Sequence, residues 1–263
     1  MTFRALLLGA TALALAFLTL PIVAIFVDTS PARLLDSLGD EGSLDALWLS
    51  LRTTAMALAI IVAIGTPAAW LLASRTFRGR RLAITLVELP LVLPPAVAGI
   101  ALLAALGPNG ILGGALAEAG IRLPLTTAAV VTALTFVASP FYVRQAQAAF
   151  AAVDRTLVDA SRTLGASEAR TFARVVVPSA APGLVAGGGL ALGRALGEFG
   201  ATLMFAGSFQ GITQTAPLAI YDRFGTDFDQ ALALSAVLVA VSAAILLTVK
   251  VAAPATTARP GAG

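Results

Sequence analysis

The chain of 263 residues contains no cysteine and no histidine, and it has a single lysine, Lys250. Without cysteine no disulfide can form, and without both residue types the commonest protein ligands of zinc, haem and iron–sulfur clusters are missing. No G-x-x-x-x-G-K-[ST] sequence surrounds Lys250, so the phosphate loop of a Walker-type ATP site is also missing. We therefore expect no metal, no catalytic residues and no cofactor in this chain.

Charged residues are scarce as well, at 12%, while 58% of the residues are hydrophobic and the mean hydropathy is +0.92. A soluble domain has about 25% charged and about 45–50% apolar residues. The composition therefore indicates an integral membrane protein surrounded by lipid. The basic pI near 10.2 comes almost entirely from arginine. Excess arginine in cytoplasmic loops explains it better than a nucleic-acid partner does.

Long apolar runs, each near the length of about 20 residues that a spanning helix needs, occur six times. The sequence therefore predicts an all-α integral membrane protein with six transmembrane helices in one domain, residues 1–252, followed by a disordered tail, 253–263. A signal peptide in place of the first helix is disfavoured because the run is too long. The predicted spans are 5–27, 47–73, 82–106, 125–149, 181–206 and 231–251.

Basic residues are distributed unequally between the two sides of these spans. With the N-terminus inside, twelve of the 17 basic residues fall on the inner side, and the outer loops contain only Arg33, Arg122 and Arg223. Because positive charge accumulates on the cytoplasmic side, we expect both termini to be cytoplasmic. The outer loop 208–230 has two interpretations that the residues leave open, a short interfacial helix that meets the binding protein or a plain surface loop.

The longest inner loop, about 151–178, is the most polar part of the chain. Asp159 lies at helical spacing from both Arg155 and Arg162 and can pair with either. Gly165 is placed to end a first short helix, and Ser167 to cap a second. We expect this second helix to stop before Pro178. The residues alone leave two interpretations open, a solvated loop on the membrane surface or a surface that a partner approaches.

The spacing of this loop resembles the EAA loop of bacterial ABC importer permeases, with D-A-S in place of E-A-A, then glycine, then V-x-V-P. In that family the loop forms a coupling helix, here between helices 4 and 5, that docks on a separate ATPase. The resemblance implies a homodimer, two ATPase subunits carrying ATP and Mg, and an extracytoplasmic oxyanion-binding protein. It assigns the coupling role to Asp159, Ala160, Ser161, Gly165, Ala166, Val175, Val177 and Pro178.

Two further stretches, residues 88–114 and 193–221, resemble the permeases for molybdate, tungstate and sulfate. The run GEFGATLMFAG is most similar to the molybdate/tungstate branch. This resemblance implies an importer of molybdate, or of tungstate, in a bacterial cytoplasmic membrane. A sulfate or thiosulfate permease is the alternative. A secondary transporter fits the composition but not the EAA-like loop.

The same stretches contain residues suited to a transport path. Prolines at 90, 94 and 95 remove backbone donors and bend the third span, as a structural kink or as part of the path. Arg194 and Glu198 lie four residues apart and can pair, which favours a structural or gating element over an anion site. The predicted path or gate residues are Pro94, Pro95, Arg194, Glu198, Phe199 and Gly200.

Overall fold

A computed structural model describes residues 3–252 of the chain, and the predicted tail, 253–263, lies outside this range. The described part is helical throughout, as predicted. A π-helical turn, Phe172–Val176, joins α9 to α10. The helices are α1 (Phe3–Asp28), α2 (Pro31–Gly39), α3 (Glu41–Ser74), α4 (Arg80–Val92), α5 (Pro95–Leu106), α6 (Gly113–Glu118), α7 (Thr127–Ala151), α8 (Arg155–Thr163), α9 (Glu168–Thr171), α10 (Val177–Leu196), α11 (Gly200–Ala206), α12 (Ala216–Phe224) and α13 (Phe228–Ala252).

Within residues 3–252, five spans are long and apolar enough to cross a membrane on their own: α1, α3, α7, the continuous stretch α9–α10, and α13. The predicted third span, 82–106, is instead two helices, α4 and α5, bent by 119°. The break falls between Val92 and Pro95, where consecutive prolines cannot donate the backbone hydrogen bonds that a continuous helix needs.

The bent pair α4–α5 nevertheless carries the chain across the membrane, because α3 and α7 run in the same direction. Near the ends predicted to lie outside, both contact residues 212–216: the Ser50 hydroxyl accepts the Ala216 N–H, and Thr127 donates to the Ile212 carbonyl. Near their inner ends, Trp70 of α3 and Phe150 of α7 are in ring contact at 5.5 Å. The chain must therefore return between them, which gives six crossings, as predicted.

The fifth span differs from its prediction at both ends. Residues 181–206 do not form one helix, because α10 ends at Leu196 and α11 begins at Gly200. Toward the inner side the helix extends back to Glu168, so it does not stop before Pro178. The π-helical turn explains this. Val177 donates to the carbonyl of Phe172, five residues back, and this wider ring opens the hydrogen-bond ladder next to the proline, which has no N–H.

Close packing of α3, α7 and α10 forms the core. Two glycines of α10 permit it: a Cβ on Gly183 would lie 2.4 Å from the Cβ of Ala149, and one on Gly187 would lie 3.0 Å from the Cβ of Gln145. Small residues let membrane helices approach in this way. By contrast, no residue within Phe3–Asp28 is buried, so α1 presents apolar side chains on all sides.

Polar contacts connect the helices on the side predicted to face outward. Of the two interpretations of loop 208–230, the structure has the short helix, α12. Its Arg223 donates to Asp40 and to the hydroxyl of Ser43, which ties α12 to the start of α3. Arg33 of α2 pairs with Asp229 of α13 at 2.8 Å. These contacts hold the outer loops against the spans.

Candidate functional site

The polar inner loop begins with the amphipathic helix α8. The carboxylate of Asp154 caps its start by accepting the N–H of Thr156, and this hydrogen bond lowers the pKa of Asp154 below its ordinary value. Val158 is buried toward the spans, whereas Leu157 and Leu164, seven residues apart on one face, are exposed. An otherwise polar helix therefore presents two large apolar side chains to water.

A left-handed glycine turns the chain after α8. Gly165 has φ +79°, and its N–H donates to the carbonyl of Arg162 at 2.9 Å. Ser167 then caps α9, its hydroxyl accepting the N–H of Arg170. The turn and the cap confirm the local structure predicted for these residues. They end α8 and start the helix that follows.

An ion-pair network crosses this turn. Arg162 donates from Nε to Oε1 of Glu168 at 2.9 Å and from Nη2 to Oε2 at 3.1 Å. Its Nη1 also lies 3.4 Å from Asp159, as the helical spacing predicts. The hydrogen bonds to Glu168 raise the pKa of Arg162 above its already high ordinary value. Arg75 at the end of α3 approaches Glu168 at 3.9 Å.

Beneath the network the segment rests on aromatic rings. Trp70, Phe150 and Phe172 contact one another, with ring centroids 5.5 to 6.0 Å apart. The hydroxyls of Ser161 and the buried Thr171 lie 3.0 Å apart. A cavity of 280 Å³, polar at its rim, separates α8 from the ends of α3 and α7. The segment therefore packs against the ends of the spans on one side and is open to water on the other.

The predicted coupling residues differ in exposure. Their coupling roles stay predictions. The exposed ones are Asp159, Ala160, Gly165 and Pro178, and the half-buried ones are Ser161, Ala166, Val175 and Val177.

At the other end of α10, the predicted Arg194–Glu198 pair forms. Glu198 is 1% exposed, and its Oε2 lies 2.5 Å from Nη2 of Arg194. Its Oε1 accepts the N–H of Ala201 in the first turn of α11, at 2.7 Å. One carboxylate therefore joins the C-terminal end of α10 to the N-terminal end of α11. Both groups complement the helix dipoles at those ends.

The structure also brings together two of the other predicted gate residues, Pro95 and Gly200, which are about a hundred positions apart in sequence. A Cβ on Gly200 would lie 2.8 Å from the Cβ of Pro95, and one on Gly99 would lie 2.6 Å from the Ala201 carbonyl. The broken helices α5 and α11 are thus interlocked. Pro94 lies at the break itself, and Phe199 packs on Tyr221 with ring centroids 4.9 Å apart.

Glu88, the charged residue of the third span, lies apart from this cluster. Glu88 of α4 pairs instead with Arg144 of α7, at 2.8 Å. The inner loop and the Glu198 cluster lie at opposite ends of the helix Glu168–Leu196, whose 29 residues make a rod of about 43 Å. We call this helix the α9–α10 rod.

Several residues of interest were not identified from the sequence. The exposed pair Leu157 and Leu164 could have been found from the helical period of α8. The Arg162–Glu168 pair spans a non-helical turn, so no periodicity signals it. The interlock of Gly99 with Ala201 joins distant segments and has no local signal.

Comparison with known proteins identifies the family of this chain. Residues 62–255 match the family model described as a binding-protein-dependent transport system inner membrane component. The chain belongs to this family. It is a multi-pass permease of the inner membrane, part of a transport complex whose ATP is bound by a partner subunit.

Curated relatives include permeases named for molybdenum transport and for sulfate transport. The molybdenum transport permease ModB of Mycobacterium tuberculosis is 43% identical over 240 residues, covering 91% of each chain. ModB of Escherichia coli K12 is 38% identical over 182 residues, 69% of this chain and 80% of that one. The sulfate permease CysT of Salmonella typhimurium is 36% identical over 182 residues, 69% of this chain and 66% of that one.

Solved structures support the fold. A bacterial ABC transporter for import of the acidic polysaccharide alginate matches with a TM-score of 0.77 and 19% identity, covering 97% of this chain and 95% of that chain. The MetNI methionine ABC transporter in an inward-facing conformation matches with a TM-score of 0.59 and 20% identity, covering 80% of this chain and 92% of that chain. At these identities the similarity concerns the fold alone.

Proposed function

We propose that the permease imports molybdate, or the chemically similar tungstate, delivered by an extracytoplasmic binding protein. The observation that carries this proposal is the 43% identity to a molybdenum permease over 91% of both chains. The similarity to a sulfate permease is lower and covers 69% of the chain. Sulfate therefore remains the competing substrate for the test below.

We further propose that two copies of the chain form the path, each docking one ATPase subunit through α8. One such segment per chain, in a permease without an ATP site of its own, supports a complex with two permeases and two ATPases. The exposed Leu157 and Leu164 supply an apolar surface for this contact. Asp159, Ala160 and Gly165 lie on the same water-exposed segment.

In this proposal, movement of the ATPase reaches the gate through connected helices. The turn at Gly165 links α8 to the α9–α10 rod. At the far end, Glu198 joins the rod to α11, and α11 is interlocked with α5. The broken helices at Pro94 and at 197–199 are the positions where the path changes shape. Because Arg194 neutralises Glu198, the carboxylate presents little repulsion to a passing dianion.

Uptake by reconstituted complexes tests this proposal. The permease, its cognate ATPase and its binding protein are placed in proteoliposomes, and ATP-driven uptake of molybdate, tungstate and sulfate is measured in parallel. We expect uptake of molybdate or tungstate to exceed that of sulfate. Preferred sulfate uptake would overturn the substrate assignment, and uptake driven by an ion gradient without ATP would overturn the mechanism.

A further inference from the structure

We propose that the bidentate pair of Arg162 and Glu168 is a positioning clamp, which fixes the angle between α8 and the α9–α10 rod. This angle determines how much of the movement of α8 reaches the rod. The inference rests on the proposed docking of α8 on an ATPase, and it assigns to two residues a role in coupling that neither exposure nor helical spacing reveals.

The geometry of the pair restricts orientation as well as distance. Arg162 lies in the last turn of α8, and Glu168 is the first residue of α9. Two nitrogens of one planar guanidinium contact both oxygens of one carboxylate, at 2.9 and 3.1 Å. A fork of this kind aligns the two groups in one plane, which a single contact would not do.

The turn between the helices needs such a restraint. Gly165 is left-handed, and open space surrounds the position of a Cβ there. The hydrogen bonds of the turn lead back to Arg162 and Ser161 in α8, so they close α8 without fixing α9. The hydroxyl contact between Ser161 and Thr171 is a second tether, at 3.0 Å. One hydroxyl pair still allows rotation, which the guanidinium–carboxylate plane opposes.

A simpler explanation accounts for the charges but not for their contact. An acid at a helix start and a base at a helix end each complement the helix dipole without any pairing. That explanation predicts two solvated side chains. Here the side chains instead meet across six residues, and Arg75 brings the end of α3 into the same network.

Exposed ion pairs contribute little to folding stability. Removing the clamp should therefore leave the permease folded, inserted and able to bind the ATPase. The quantity that should change is the amount of substrate transported per ATP hydrolysed. A purely structural role of the pair would instead change the thermal stability of the permease. Measuring both quantities therefore distinguishes the two roles.

The test uses the complete complex in proteoliposomes, with uptake and ATP hydrolysis measured in the same vesicles. Arg162→Glu and Glu168→Arg should each lower the uptake-to-hydrolysis ratio several-fold. The double exchange, which restores an opposite-charge pair, should recover much of it. Arg162→Lys keeps the charge but loses the fork, so its ratio should fall between wild type and Arg162→Glu.

Arg78→Glu is the matched control. It makes the same charge change on the same side of the membrane, and within residues 3–252 Arg78 has no ion-pair partner. Its ratio should equal that of wild type. The clamp is refuted if the single variants keep the wild-type uptake-to-hydrolysis ratio. It is also refuted if the double exchange has a ratio no higher than that of either single variant.

Gly165→Glu separates the clamp from the proposed function on which it rests. If Gly165→Glu leaves ATPase binding and uptake intact, α8 is not the docking helix and both proposals fail. If it abolishes coupling while Arg162→Glu and Glu168→Arg keep the wild-type ratio, the clamp alone fails.

Discussion

Glu198 and Arg194 form a salt bridge of 2.5 Å in which the two partners differ sharply in exposure, 1% for the glutamate side chain and 26% for the arginine. The arginine lies in the last turn of α10, and the glutamate also caps α11 through Ala201. Removing either partner should therefore have a different consequence.

Arg194→Ala should destabilise the permease strongly, by about 3–5 kcal/mol, because it leaves a buried carboxylate without its counter-charge. Glu198→Ala should cost less. It removes a helix cap, an effect of about 1 kcal/mol, and the freed arginine can reach water. Thermal unfolding of the purified variants in detergent measures both effects. The Glu198→Ala permease should still assemble with the ATPase while its uptake falls, because α11 has lost its link to the rod.

The double variant Arg194→Ala/Glu198→Ala is the control for this interpretation. It should be more stable than Arg194→Ala alone, because no buried charge remains. If the two single variants are equally stable, the unpaired Glu198 carboxylate in Arg194→Ala does not destabilise the permease, and this interpretation is wrong.

The contact of α5 with α11 gives a second prediction. A Cβ on Gly99 would lie 2.6 Å from the carbonyl of Ala201 and 2.7 Å from the Cβ of Met204. Gly99→Ala should therefore force the two helices apart, at a cost of about 1–3 kcal/mol. It should lower both the unfolding temperature and the rate of uptake.

Gly114→Ala is the matched comparison, since nothing lies within 4 Å of a Cβ at Gly114 in α6. This variant should unfold and transport as wild type does. Equal behaviour of the two variants would argue against a close interlock of α5 and α11.

Local features of the inner loop were predictable from the sequence because they depend on neighbouring residues. The left-handed Gly165 and the cap at Ser167 follow from backbone and side-chain chemistry within a few positions. The continuation of the helix through Pro178 was not predictable by the same rule. It depends on a π-helical turn, in which the chain accommodates the proline by widening the preceding ring.

The spans show the same division. Hydrophobic length located the crossings, but it could not reveal that α10 ends at Leu196, because residues 197–206 are as apolar as those before them. The pairing of Arg194 with Glu198 was predictable from their spacing. Its role as a link between two helices was not, because that requires knowing where the helix breaks. Contacts such as Pro95 with Gly200 arise only from tertiary packing.

The membrane orientation is predicted from the distribution of arginine and can be tested by thiol labelling, since the chain has no cysteine of its own. Thr76 in the α3–α4 loop and Thr226 beyond α12 are both exposed. In intact cells an impermeant maleimide should label Thr226→Cys and not Thr76→Cys, and in inverted vesicles the order should reverse. Labelling of both from one side would contradict the six-crossing topology.

The central claim is that α8 contacts a separate ATPase, and site-specific photocrosslinking tests it most directly. A photoreactive amino acid replaces Leu164, which is 87% exposed, in the complete complex within inverted membrane vesicles. The same replacement of Leu86, exposed on α4, is the control. We predict an adduct with the ATPase subunit from position 164 and none from position 86, with a yield that changes when ATP is added. Absence of the adduct from position 164 in vesicles that still transport the oxyanion would contradict the account.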